Sequence, residues 1–310
     1  MTQQITVFGY GAVGQPIVDQ LVARGDRVRV ATRNRPANLP VEVEHVHCDV
    51  LDANDVRAAL QGASQAVLAV GFPYDSRLWR TVWPQTMTNM VEGCAAEGIR
   101  LVFIDNLYQL GPQTTPRTED MPLSTIGEKA AILAEVTRIW QRASDRVRVA
   151  ALRCSDFYGP GVHVSHLGAS AFGELAKNKP AQLLVPADTL HDFVYVPDIA
   201  RAALLLLDAP DADFGQAWNM PCAPTRTPRA LLTMGAAALG RRLRVWAVPF
   251  ALLRPIGLVY RFATEVADVG FTWDRAYVVD GGKFTHRFGF VPTPFELGVP
   301  TTVHAFAKGC

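Results

Sequence analysis

This sequence has no paired cysteines, no long apolar run and no net charge to speak of. Its five cysteines (Cys48, Cys94, Cys154, Cys222 and Cys310) are scattered and form no Cys-x-x-Cys pair. An odd, dispersed set points to reduced thiols rather than a disulfide frame, hence to a cytoplasmic protein. No uninterrupted apolar stretch of about 18 residues occurs, which argues against a membrane span. The nearest approach, 247–259, is broken by Pro249, Arg254 and Pro255. A strand begins almost at the first residue, leaving no room for a signal peptide. The formal charge is +1, so electrostatics supplies no reason to expect nucleic acid or an anionic membrane as partner. Arg138, Arg142, Arg146 and Arg148 form a local basic cluster that reads as a solvated helix end. No internal repeat or low-complexity tract appears. His45-x-His47 and His163-x-x-His166 lack further ligands nearby, so no metal site is expected.

What is present is apolar material and order. Of the 310 residues, 49% are hydrophobic and 19% charged, enough for a sizeable buried core. The chain opens with an apolar, β-prone run, Ile5-Thr6-Val7-Phe8, then Gly9-Tyr10-Gly11-Ala12-Val13-Gly14, then a helical pattern through Arg24. Strand, glycine turn and helix together define a dinucleotide-binding signal. Gly9 permits the tight turn, Gly11 lets a pyrophosphate approach the backbone, and Gly14 lets helix and strand pack closely. The turn from Gly9 through Ala12, Val13 and Gly14, with the helix start behind it, would hold the phosphate charge.

The second strand (Val28, Val30, Ala31) ends in Thr32-Arg33-Asn34-Arg35. A carboxylate there would suit the ribose hydroxyls of NAD; the Arg33 guanidinium suits the 2′-phosphate of NADP. Residues 41–47 alternate and read as strand three, Cys48-Asp49 follows, and Asp49 either accepts a hydrogen bond from adenine or caps the next helix. Strands are expected at 65–70, 99–104 and 147–152, with helices at 54–60, 78–97 (despite Pro84) and 122–142 between them. Such alternation specifies an α/β fold of Rossmann type, a doubly wound parallel sheet with ligands at the carboxyl ends of its strands. Helices are also expected at 199–208, 228–239 and 249–263. Residues 1–160 and 191–219 are assigned to the NADP-binding core. Residues 161–190 and 220–310 are assigned to a smaller C-terminal lobe for a small-molecule substrate. The long helices after strands four and five offer faces for a homodimer.

Three phrases resemble the extended short-chain dehydrogenase/reductases, the NAD-dependent epimerase/dehydratase group: the glycine turn, Leu152-Arg153-Cys154-Ser155-Asp156-Phe157-Tyr158-Gly159-Pro160-Gly161, and His191-Asp192-Phe193-Val194-Tyr195-Val196-Pro197-Asp198-Ile199-Ala200. The resemblance covers essentially the whole chain, with departures. The glycines are spaced Gly-x-Gly-x-x-Gly rather than Gly-x-x-Gly-x-x-Gly. Where the family has Tyr-x-x-x-Lys, this chain has Thr125-Ile126-Gly127-Glu128-Lys129. Asn106 stands where the family places Ser or Thr, and Asp156 where it places Asn. The resemblance implies that Lys129 holds the nicotinamide ribose and supplies positive charge.

A tyrosine beside a lysine is a workable proton donor because the ammonium lowers its pKa from about 10; Thr125 has no comparable acidity. Tyr108, Tyr74 and Asp156, each beyond the carboxyl end of a strand, are candidates to replace it. Alternatively Asn106 and Thr125 stabilise an enolate oxygen as hydrogen-bond donors. Arg275, in Asp274-Arg275, is a candidate anchor for an anionic substrate. The leading expectation is an NADPH-dependent reductase of a small carbonyl or conjugated carbonyl compound. A nucleotide-sugar epimerase or dehydratase and a non-catalytic NADP-binding sensor are the alternatives.

Overall fold

The computed structural model describes residues 4–309, so Cys310 and its expected free thiol lie outside the described residues. Seven short strands form one sheet: β1 (Gln4–Phe8), β2 (Arg27–Thr32), β3 (Glu44–His47), β4 (Gln65–Leu68), β5 (Arg100–Asp105), β6 (Val149–Arg153) and β10 (Gln216–Asn219). Their order is β10-β6-β5-β4-β1-β2-β3, and every pairing is parallel. β4 and β5 are buried along almost their whole length. That is the burial expected of strands covered on both faces.

Helix α1 (Gly14–Arg24) and α6 (Val196–Asp208) cover one face, with Ile17, Val18, Leu21, Ile199 and Leu206 fully buried. α2 (Ala53–Leu60), α3 (Ser76–Glu97) and α4 (Glu128–Arg142) cover the other, packing Leu60, Met87, Met90 and Trp140. The chain reverses direction across the sheet between β1 and β4. Brackets of this kind leave a crevice at the strand carboxyl ends.

The remaining elements build a second apolar core around Phe172, Leu231, Trp273 and Val299. They are β7 (Asp156–Tyr158), α5 (Glu174–Ala176), β8 (Ala181–Leu183), β9 (Phe193–Tyr195), α7 (Pro228–Ala238), β11 (Val245–Ala247), α8 (Leu253–Gly257), α9 (Arg261–Asp268) and α11 (Phe295–Lys308), whereas α10 (Gly282–Phe288) packs Phe284 into the first core beside β10. β7 pairs with β9, and β8 with β11. Among the described residues no helix is long and apolar enough to cross a membrane.

Two helix expectations need correction. The single helix expected over 249–263 is divided into α8 and α9 around Leu258–Tyr260, since Pro255 and Gly257 both disfavour its continuation. The helix expected from Pro122 begins only at Glu128. Gly127 has φ +93°, a conformation outside the helical region.

Candidate active site

The glycine turn follows β1 without a gap, and its geometry forms a cradle. Gly9 has φ +97°, and a Cβ there would lie 2.6 Å from the Ala69 carbonyl oxygen. A Cβ on Gly14 would lie 2.2 Å from the Gly9 carbonyl oxygen, so α1 rests against the turn with no space for a side chain. A Cβ on Gly11 would meet nothing within 4 Å: the backbone there faces open space. No side chain caps the start of α1. Gln15 N donates to the Gly11 carbonyl at 2.9 Å and Pro16 has no N–H, so an anion would meet the turn amides ahead of them and the positive end of the dipole.

This cradle opens into a cleft of ≈ 1360 Å³. Gly9, Gly11, Ala12, Val13, Arg33 and Asp49 line one end; Asn106, Tyr108 and Asp156 line the other. Gly14 is packed behind the turn. Arg33 is exposed, with its carbonyl oxygen accepting from His47 Nδ1 at 2.7 Å. The alternatives weighed for Asp49 separate onto two residues. Asp52 caps α2 by accepting from Asn54 N at 2.7 Å, while Asp49 stays on the cleft rim, its Oδ1 accepting from Leu51 N at 3.0 Å. The cradle, the bare helix terminus and the length of the cleft suit a dinucleotide.

At the far end two phenols meet. Tyr74, from the loop after β4, donates from its hydroxyl to that of Tyr108 at 3.4 Å. Burial pushes both phenols above the usual tyrosine range. Asn106 Oδ1 accepts from Tyr108 N at 2.9 Å, which leaves the Asn106 NH₂ as the end able to donate elsewhere. Asp105, the last residue of β5, is pushed up to about 6 by burial, with Arg153 (3.7 Å away) acting in the opposite sense.

Asp156 brings in a residue that the sequence reading had only as part of a phrase. His191 Nε2 lies 2.9 Å from Asp156 Oδ2. Its Nδ1 lies 3.2 Å from the Thr272 carbonyl oxygen, which can only accept, so Nδ1 carries a proton. The ring is fully buried in a stack: Trp273 on one side (3.8 Å, 6° between planes), Tyr277 on the other (4.6 Å, 11°). The Arg117 guanidinium continues the column, 3.8 Å from the Tyr277 ring centre. Burial pushes the Asp156 carboxyl up, but the hydrogen bond and charge of His191, with the charge of His166, outweigh it and hold Asp156 below the usual range. Burial pushes His166 down.

Thr125 and Lys129 are not brought together at the cleft. Thr125 is exposed, ahead of α4 rather than on it, and does not line the cleft. The positive φ of Gly127 breaks the helical register that would place it one turn before Lys129. Lys129 is fully buried and outside the cleft lining; its ammonium is bound to the Glu265 carboxylate from α9 and lies 4.3 Å from the Tyr74 ring centre. In this arrangement it faces a carboxylate and an aromatic ring where the resemblance implied a ribose. α9 also caps α4: Asp268 accepts from Glu128 N at 2.8 Å and Lys129 N at 3.0 Å. Arg275 is tied to Asp274 at 2.6 Å, outside the cleft lining. His163 and His166 both line the cleft, and no group of three potential metal ligands occurs among the described residues. Sequence reasoning missed Glu265, Asp268 and Trp273, for which no local motif gave a signal.

A glycine cradle at the reversal point of a doubly wound sheet, with phenols and a carboxylate across the cleft, defines a dinucleotide-binding α/β protein. More narrowly, the chain belongs to the NAD-dependent epimerase/dehydratase family, whose model matches residues 5–220. A search of curated proteins gave no match. Among solved structures, the chain is similar to a dTDP-glucose 4,6-dehydratase from Streptomyces venezuelae with NAD bound (20% identity, 98% of this chain and 97% of that one, TM-score 0.81). It is also similar to a UDP-glucuronic acid 4-epimerase from Bacillus cereus in complex with UDP-glucuronic acid and NAD (14%, 99% and 100%, 0.83). A third is a UDP-glucose 4-epimerase from Thermotoga maritima with UDP-glucose (16%, 99% and 99%, 0.82). At these identities the likeness establishes the fold. The family match favours epimerase or dehydratase chemistry over the simple carbonyl reductase expected from the sequence.

Proposed function

We propose that the protein is a dinucleotide-dependent enzyme that interconverts a carbinol and a carbonyl carbon, the step on which epimerases, dehydratases and reductases all depend, and that its dinucleotide is NADP. The observation that carries this reading is the single cleft joining the glycine cradle to the Tyr74–Tyr108 pair. The turn amides of 9–14 and the start of α1 would hold the pyrophosphate, Asp49 the adenine amino group, and Arg33 the 2′-phosphate. When bound, the nicotinamide supplies or accepts the hydride.

The chain's own residues handle the oxygen and its proton. Burial keeps the Tyr108 phenol protonated through the neutral range, so it donates a hydrogen bond, and finally a proton, to an oxygen gaining negative charge. The Tyr74 hydroxyl, donating to Tyr108, leaves the Tyr108 proton free for the substrate oxygen. Lys129, paired with Glu265, packs against the Tyr74 ring and supports its position without touching substrate. The Asn106 NH₂ is a second donor to the same oxygen. In the reverse direction the Tyr108 oxygen takes that proton back, and Asp156, ionised beside His191, adds a negative charge at the same end of the cleft.

A panel of carbonyl compounds and nucleotide sugars, followed by NADPH absorbance and product analysis, tests the proposal. Turnover with one class supports it; no turnover with any class contradicts it. The family match favours a second reading as a nucleotide-sugar epimerase or dehydratase. That reading requires a changed sugar with no net consumption of dinucleotide.

A further inference from the structure

The substrate end of the cleft is a continuous wall of aromatic rings. Phe103 packs on Trp83 (6.2 Å between ring centres), Trp83 on Phe72 (5.0 Å) and on Trp79 (6.0 Å), Trp79 on Tyr74 (5.4 Å), and Tyr74 on Phe262 (5.9 Å). All six line the cleft, and the chain of rings includes the Tyr74 phenol that meets Tyr108. Rings at these separations pack in edge-on and tilted geometries, the ordinary arrangement of an apolar aromatic surface. The Trp79 indole N–H is already donated to the Pro73 carbonyl at 2.8 Å, so that ring presents only carbon to the cleft.

Charge around this wall is arranged against a polyanion. Among the described residues that line the cleft, Arg33 is the only arginine or lysine, and it lies at the cofactor end. Of the cations bordering the other end, four are held by carboxylates: Lys129 by Glu265, Arg261 by Asp75, Arg80 by Glu128 at 3.0 Å, Arg275 by Asp274 at 2.6 Å. Arg117, stacked behind Tyr277, has no such partner among the described residues but is fully buried and does not reach the lining. The carboxylates lining the reacting end are Asp105 and Asp156, the latter paired with His191, and the imidazoles of His163 and His166 line it as well. A diphosphate transferred out of water into such a site would lose hydration without gaining charge-assisted hydrogen bonds.

From the ring wall and this placement of charge we infer that the substrate is a neutral carbonyl or carbinol compound with a flat apolar body, not a nucleoside diphosphate sugar. The inference rests on the proposed carbinol–carbonyl chemistry for the reacting group only. The apolar body lies along the rings from Phe103 to Phe262, and its oxygen meets Tyr108 and Asn106.

Calorimetric titration of the NADP⁺-loaded protein tests this without turnover. The probes are benzylideneacetone, UDP-glucose and dTDP-glucose. Benzylideneacetone is expected to bind at least about tenfold more tightly than either nucleotide sugar. Phe262→Asp, at a partly exposed ring, is expected to weaken benzylideneacetone about tenfold and leave NADP⁺ affinity unchanged. Leu184→Asp, elsewhere on the lining, provides a second variant with the same expected result. Tighter binding of either nucleotide sugar would overturn the inference. So would benzylideneacetone binding weaker than about 1 mM, or unchanged in both variants. If NADP⁺ itself fails to bind, the proposed function falls. The ranking of the three probes on the cofactor-free protein then still decides the substrate class.

Discussion

Two short stretches place glycine just ahead of a helix, and they behave differently. In Gly9–Gly14 each glycine serves the same end: Gly9 turns, Gly11 stays open, and Gly14 lets α1 sit against the Gly9 carbonyl. In Thr125–Lys129 a single glycine sits between two residues whose joint action needs an unbroken helix, and its φ of +93° separates them. Asp268 and Glu265, about 140 residues further on, then claim the start of α4 and the Lys129 ammonium. A motif keeps its chemical meaning only when the backbone between its members keeps the required register.

Breaking the first stretch should have the largest effect. Gly14→Val forces a side chain into the Gly9 carbonyl, and NADPH affinity measured by calorimetry should fall more than about 100-fold, about 2.7 kcal/mol. Affinity within a few-fold of the parent would mean that the cradle is not the binding site. Next comes the reacting end: Tyr108→Phe should lower turnover by about 100-fold at unchanged cofactor affinity, whereas Thr125→Val should leave the rate as it is. A large loss in the threonine variant would restore the helical register that Gly127 interrupts.

The Lys129–Glu265 pair is a matter of stability. Glu265→Gln strands a buried ammonium and should cost about 3 kcal/mol in chemical denaturation. The double change Lys129→Met with Glu265→Leu should recover most of it, because a packed apolar pair avoids the desolvation of both charges. A smaller effect concerns the cofactor: Arg33→Ser should reduce the preference for NADPH over NADH about tenfold, or about 1.4 kcal/mol. An unchanged preference would move the 2′-phosphate site away from β2.

The smallest effect is a pH dependence at Asp105, on the strand between the two ends of the cleft. Its folded pKa, about 6, is above the unfolded value of about 3.9. The protonated form is thus favoured by folding. Its contribution to stability is complete below the unfolded value and is lost as pH rises through about 6. Asp105→Asn should abolish that decline in denaturation curves taken across this interval. A decline that persists in the variant would assign it to another group.

The sequence made the sheet and the cradle legible because both depend on local pattern. Apolar runs such as Ile5–Phe8 and Leu101–Ile104 are separated by helical periodicity, and the turn follows β1 directly. Asn106, Tyr108 and Asp156 were legible as cleft residues for the same reason: each follows the carboxyl end of a sheet strand, and each lines the cleft. What could not be read was set by distant contacts. The Lys129–Glu265 pair spans 136 residues, and the stack on His191 is closed by Trp273 and Tyr277 from a separate segment. No periodicity links such partners. The break in 249–263 has a local cause instead: Pro255 and Gly257 interrupt an apolar pattern that otherwise runs on.

The most direct test of the account is the electron density of NADP⁺ in crystals of the loaded protein. The account predicts pyrophosphate against the amides of Gly11–Gly14 and the nicotinamide ring beside Asn106 and Tyr108. A pyrophosphate seated away from that turn, or a nicotinamide directed away from the two side chains, would contradict it.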